Sequence, residues 1–328
     1  MNSSNCQLIS FDFSGKFLPP VYILVFVVGL AANGWGLKSL MHNWKKLGNI
    51  NVFVLNLGLA DILYLLTLPF LVVYYMMKSK WIFGEAFCKI TRFCFNLNLY
   101  GSIGFLTCIS VYRYLAFVHP MRAMGRITVT HSVTISVLVW SAVSVLSLPD
   151  MFYPKHFGNK TQKCYDTTSH IHVEDYQKYV IGWTAFGFCV PLLITLGCYG
   201  HIIAVICRSN TTEKELKQRS LRLLFILILL FSICYTPYHV SKNLNLLSRV
   251  LDQKRICRGW FNGVYIARQI SRGLVSLNSA LNPLVYLHIH EEINTKLRQR
   301  LQGICRMFGL LSVSHSRREE VTQATDDI

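Results

Sequence analysis

The chain has 328 residues, 52% of them hydrophobic and 15% charged, with a formal net charge of +17. A mean hydropathy of +0.37 excludes an ordinary soluble domain and fits a chain that crosses a membrane repeatedly. The positive balance reads as loop and tail charge plus a few intramembrane cations, not as a nucleic-acid signal, because long apolar runs dominate the chain. The first sixteen residues are polar and the first apolar run is of full span length, so no cleavable signal peptide is expected.

Seven apolar segments follow in order, at about 17–43, 50–77, 85–119, 131–151, 176–208, 215–248 and 260–288. Each is near or above the length a helix needs to cross a bilayer. The predicted fold is an all-α membrane protein, a seven-transmembrane helix bundle with a short amphipathic helix after the last span. The expected organisation is an extracellular amino terminus over 1–16, a receptor domain over 17–289, an amphipathic cytosolic helix over 290–305 and a disordered cytosolic tail over 306–328. There is no internal repeat, which argues against a transporter built from paired halves. No nucleophile–base pair, metal-ligand cluster or phosphate loop appears, which argues against an enzyme.

The third segment carries one arginine near each end. Arg92 and Arg113 lie twenty-one residues apart, about 31 Å along a helix and close to the thickness of the hydrocarbon core. Lys and Arg occur in loops on both faces, so the charge rule orients the chain weakly. The sequons at Asn2 and Asn159 fall on one face, as do Cys6, Cys88, Cys164 and Cys257; that face is expected to be extracellular. Four cysteines there suggest two disulfides, with three pairings open. After the last span, Ile293, Leu297 and Leu301 recur every four residues among charges, which suits a helix on the cytosolic lipid surface. Cys305 at its end is a candidate for palmitoylation. The closing Asp326-Asp327-Ile328 is a short match to a PDZ-domain ligand.

Cations inside spans are costly and need a reason. Arg92 lies in the third segment, Lys242 in the sixth with His239 three residues before it, and Arg268 and Arg272 in the seventh. All are in the outer parts of their spans. Asn96 and Tyr100 continue the Arg92 stripe inward, and Ser276 continues the Arg272 stripe. Asp61 reads as the only acid well inside a span, so no opposing carboxylate is expected at the depth of the cations. Such a cluster beside a wet cavity calls for a polyanion, with arginine forks suited to phosphate. Asp61, Asn33, Asn278, Ser279 and Asn282 are polar at middle depth and should face one another inside the bundle.

Several motifs stand in register. Asn33 is in the first span, NLGLAD ends at Asp61 in the second, and the third runs from Cys88 to Tyr112-Arg113-Tyr114. Trp140 and Pro149 follow in the fourth, Pro191 and Tyr199 in the fifth, and Phe231, Cys234, Tyr235 and Pro237 in the sixth. The seventh carries NSALNPLVY, with Asn282, Pro283 and Tyr286. Together they resemble the rhodopsin-like G-protein-coupled receptors. The stretches LNLYGSIGFLTCIS, KCYDTTS, FCVPLLITLGCYG, PYHVSKNLNL and QISRGLVSLNSALNP are most similar to the metabotropic nucleotide purinoceptors, in particular the ADP-receptor subgroup that couples through phospholipase C.

The resemblance implies a plasma-membrane receptor for extracellular ADP or ATP, acting through a heterotrimeric G protein of the Gq type and calcium release. The alternative within the architecture is another anionic ligand, a lysophospholipid or a dicarboxylate. It implies a Cys88–Cys164 disulfide, leaving Cys6 to pair with Cys257. It implies a latch at Asp166, with Tyr100, Tyr165, Asn245, Tyr265 and Gln269 contacting base or ribose. It also implies a sodium ion near Asp61, arrestin as a further partner, and an activation switch through Arg113, Tyr199, Tyr235, Pro237, Asn282, Pro283 and Tyr286. Two departures stand out. Tyr112 occupies the place of the usual acid or histidine before Arg113, and Arg268 occupies a place usually held by an aromatic residue.

Overall fold

A computed structural model describes residues 12–42, 49–119, 128–153, 157–158, 161–162, 164, 172–208, 226–256 and 258–284, all within one compact unit. The expectations for Asn2, Cys6, Asn159, Tyr165, Asp166, Cys257, Tyr286, Cys305, the amphipathic helix and the tail lie outside the described residues.

Seven helical rods are present among the described residues, because backbone groups inside a bilayer must be satisfied within each segment. Helix one spans Asp12–His42. Helix two runs Ile50–Leu65 and resumes as Leu68–Met76. Helix three spans Glu85–Val118 and helix four Val129–Phe152. Helix five comprises Val173–Thr184, a π turn at Ala185–Cys189, and Val190–Arg208. Helix six includes a π turn at Leu230–Tyr235 followed by Thr236–Gln253, and helix seven spans Phe261–Leu281. A two-stranded hairpin pairs Phe157–Gly158 with Thr161–Gln162 between helices four and five.

The irregularities follow from proline. Helix two is interrupted at Leu66–Thr67 because Pro69 has no N–H to give and its ring crowds the preceding turn. Thr67 Oγ1 donates to the Tyr64 carbonyl at 2.7 Å across the break. Both π turns end just before a proline, Pro191 and Pro237. In helix six, Thr236 Oγ1 donates to the Phe231 carbonyl at 2.8 Å, so a side chain serves where the ladder is disturbed.

Helix three is the hub. It packs against helices two, four and five, while helix one packs against helices two and seven, and helix six against seven. Its inward face is buried from Cys88 through Ser110, polar residues included. Leu138, Val145, Leu193 and Phe186 are exposed on the outside of helices four and five, the arrangement lipid favours. Among the described residues, five helices are long and apolar enough to cross a membrane. Helices six and seven are less apolar because they carry Lys242, Arg268 and Arg272.

One close approach depends on glycine. Tyr100 of helix three stacks on Trp183 of helix five, centroids 3.9 Å apart and planes 14° from parallel. A Cβ on Gly187 would lie 2.3 Å from the Trp183 ring and 2.8 Å from the Tyr100 ring. Gly187→Ala should therefore cost roughly 1–3 kcal/mol by overpacking, read as a lower melting temperature of the purified protein. Gly182→Ala, with nothing within 4 Å of the added carbon, should leave the melting temperature unchanged or slightly raised.

Candidate functional site, a cationic cavity at one end of the bundle

A cavity opens between helices three to seven, with about 400 Å³ of empty space including its solvent-filled mouth. That is within the size range of small-molecule sites. Arg92, Phe95 and Asn96 line it from helix three, Asp150 from helix four and Tyr176 from helix five. Tyr238 and Lys242 line it from helix six, and Arg268 and Arg272 from helix seven. Cys164 also lines it and is joined to Cys88, so the loop between helices four and five is tied to helix three beside the cavity.

The expectation that no carboxylate lies at this depth is corrected by Asp150. Its side chain is 9% exposed, and its Oδ2 accepts from Arg92 Nη2 at 2.7 Å. Arg92 Nη2 also donates to the Asp150 carbonyl. Tyr176 OH donates to Oδ1 at 2.7 Å, and Asn96 Nδ2 to Oδ2 at 3.3 Å. The carboxylate is thus surrounded by donors from helices three and five. The physical reason is the cost of burying an unpaired charge: at the membrane end of helix four, Asp150 persists because Arg92 neutralises it.

The other cations have neutral neighbours. The Arg268 guanidinium lies 4.2 Å from the centroid of the Tyr238 ring, and its Nη2 donates to Tyr238 OH at 3.2 Å. Lys242 Nζ is 5.8 Å from the same centroid, within reach of a cation–π attraction. Arg272 Nη1 donates to Tyr75 OH at 2.5 Å and to Gln269 Oε1 at 3.4 Å. Among the described residues no carboxylate lies within ion-pair distance of Lys242 or Arg268.

Arg92, Asn96, Lys242, Arg268 and Arg272 are therefore brought together, whereas other expected contacts are not on the described cavity wall. Tyr100 has one ring face covered by Trp183. His239 is buried and stacks on Phe188, with centroids 4.4 Å apart. Tyr265 OH donates to Ser14 Oγ of helix one at 3.3 Å. Ser276 is hydrogen-bonded to Tyr64 OH of helix two at 2.7 Å. Gln269 reaches the site through Arg272, and Asn245 does not line it. Phe95, Asp150, Tyr176 and Tyr238 line the cavity without being expected there. Tyr238 alone carries a local signal, since it precedes Lys242 by four residues and so shares its helix face.

Deeper in the bundle, Asp61 accepts from Asn98 Nδ2 at 2.8 Å, and from Asn282 Nδ2 at 3.0 Å on Oδ1 and 2.9 Å on Oδ2. Ser279 Oγ donates to Asn98 Oδ1 at 3.2 Å, and Asn33 Nδ2 donates to the Ser279 carbonyl at 2.7 Å. One polar network thus joins helices one, two, three and seven. Tyr199 and Tyr235 are buried nearer the other end. There Tyr114, beside Arg113, is hydrogen-bonded through its hydroxyl to His201 Nδ1 of helix five at 3.1 Å.

Replacing Asp150 by Ala strands a buried guanidinium and should cost about 3–5 kcal/mol of stability. Arg92→Met combined with Asp150→Leu should cost less than the two single changes summed. A double-mutant cycle on thermal unfolding of the purified protein reads this coupling, and strict additivity would contradict it.

The family description "7 transmembrane receptor (rhodopsin family)" matches residues 37–286. Purinoceptor 1 of Homo sapiens, a metabotropic nucleotide purinoceptor, is 42% identical over 287 residues, covering 87% of this chain and 77% of the relative. Purinoceptor 1 of Meleagris gallopavo is 41% identical over 286 residues, 87% of this chain and 79% of the relative. Purinoceptor 4 of Xenopus laevis is 36% identical over 304 residues, 88% of this chain and 54% of the relative. The chain belongs to the rhodopsin family of seven-transmembrane receptors, which are receptors and not enzymes, and within it to the metabotropic purinoceptors.

Proposed function

We propose that this chain is a plasma-membrane receptor for an extracellular nucleotide, ADP or ATP, acting through a heterotrimeric G protein of the Gq type and phospholipase C. One observation carries the ligand class: Arg92, Lys242, Arg268 and Arg272 converge on one cavity that holds a single described carboxylate, Asp150. The surplus of cations in a partly desolvated space favours a ligand with several negative charges. Phosphate oxygens suit arginine because its planar fork donates two parallel hydrogen bonds. Phe95 and Tyr238 supply the aromatic surface on which a nucleobase would rest. The cavity lies at the Cys88 end of helix three, which with the amino terminus outside is the extracellular face.

The mechanism is a population shift. Anionic ligand groups would draw the cation-bearing parts of helices six and seven toward helix three. The π turn before Pro237 is where helix six can bend. Displacement of its inner end would open the cytosolic face near Arg113 and Tyr199 to a G protein α-subunit. The Asp61 network, which joins helices two, three and seven, would rearrange between the two states. A sodium ion belongs to the same proposal for the ligand-free state. The donors available to it are Asp61 carboxylate oxygens and Asn282 Oδ1, which accepts no hydrogen bond among the described residues. Oxygen ligands of this kind suit a hard cation.

Arg272→Ala should weaken agonist potency at least about tenfold at equal surface level, through loss of a charge-assisted contact worth roughly 1.5–3 kcal/mol. Calcium release in transfected cells, recorded over a series of ADP and ATP concentrations, reads this. Unchanged potency would refute the pocket, and silence of the wild-type receptor toward every nucleotide would refute the ligand class.

A further inference from the structure

We propose that Arg268 is a specificity-determining residue that makes this cavity favour a triphosphate over a diphosphate. The proposal rests on the nucleotide reading above and adds to it the phosphate number. The cations of the cavity differ in how far they are neutralised. Arg92 is paired with Asp150, at 2.7 Å. Lys242 and Arg268 face the same cavity with no carboxylate within ion-pair distance among the described residues, and Arg272 stands beside them.

Arg268 and Arg272 are four residues apart on helix seven and so lie on one face, about 5–6 Å from each other at their Cβ atoms. Helix seven starts at Phe261 on the side of the cavity mouth, which puts Arg268 one turn outward of Arg272. Both line the cavity. Two guanidinium forks in a row along the wall match a chain of linked anionic groups better than a single anion.

Arg268 itself is held in place and incompletely satisfied. The residue is 6% exposed. Tyr238 holds it twice, through the ring face at 4.2 Å and the hydroxyl at 3.2 Å. These contacts fix the guanidinium plane and engage Nη2. Nη1 is buried and has no hydrogen-bond partner among the described residues. A buried donor left unpaired is costly, and pairing it with an ionised oxygen recovers that cost with a charge-assisted bond. A ligand one phosphoryl group short leaves such a donor unfilled. The inner cations take the groups common to both ligands, and Arg268 takes the additional one.

The test is equilibrium binding of ATP and of ADP to the purified full chain in lipid nanodiscs. The wild type is expected to bind ATP more tightly than ADP. Arg268→Gln should raise the Kd for ATP about tenfold or more and the Kd for ADP less than about threefold. Arg268→Lys keeps the charge without the fork and should fall between the two. It also serves as the reading if the glutamine variant does not fold, with thermal unfolding in the absence of nucleotide as the check. Equal shifts for both nucleotides, or a wild type that prefers ADP, would overturn the role of Arg268 while leaving the nucleotide reading intact. A wild type that binds neither nucleotide would overturn both.

Discussion

The ion pair between Arg92 and Asp150 is the contact on which the outer half of the bundle depends. A charge moved from water into a low-dielectric interior loses several kcal/mol of solvation, and the loss is recovered only with a partner in good geometry. Here the partner lies fifty-eight residues away on another helix. Asp150 gathers Arg92 and Asn96 from helix three and Tyr176 from helix five. Helices three, four and five are thereby joined at one carboxylate, and one wall of the cavity becomes rigid. The opposite wall is built differently. Lys242 and Arg268 rest on a tyrosine ring and its hydroxyl, which leave their charge uncancelled, and Arg272 donates to a hydroxyl and an amide beside them. A fixed wall facing a charged, neutralisable one is a suitable construction for a site that must respond to an anion.

Helix three links that site to the far end of the bundle. Its 34 residues extend about 51 Å, longer than the hydrocarbon core is thick. Arg92 is near one end, Asn98 reaches Asp61 at middle depth, and Tyr114 meets His201 near the other end. Asp61 and its amide partners couple helices two, three and seven in the middle. The two proline-associated π turns put the departures from regular geometry in helices five and six, which contribute Tyr176, Tyr238 and Lys242 to the cavity. Rigid and adjustable parts are thus divided between helices.

The helix count is legible in the sequence because apolar runs of span length rarely arise for any reason but a membrane crossing. The boundaries are less so. Helix one is expected from residue 17 and begins at Asp12, and helix six is expected to end near 248 and continues to Gln253. Apolarity marks the lipid slab, whereas helical hydrogen bonding continues into polar surroundings. The break in helix two is visible only as Pro69 within an unbroken apolar run. The cations are legible individually because a charge in a span is conspicuous. Asp150 is not, because it sits one residue after Pro149 at a span end, where an acid is easily assigned to the interface. Its pairing with Arg92 is a long-range fact that no local pattern encodes. Stripes on a single helix likewise misplace Tyr100 and Ser276, since neighbouring helices decide which part of a stripe reaches a cavity.

The central claim is that the cavity recognises the phosphate groups of its ligand. It is tested most directly by comparing the binding of a nucleotide and its parent nucleoside to the purified receptor as ionic strength is raised. The account requires the nucleotide to bind at least about a hundredfold more tightly at low salt, with the gap narrowing as salt screens the exposed part of the attraction. Equal affinity for nucleotide and nucleoside, unaffected by salt, would contradict it.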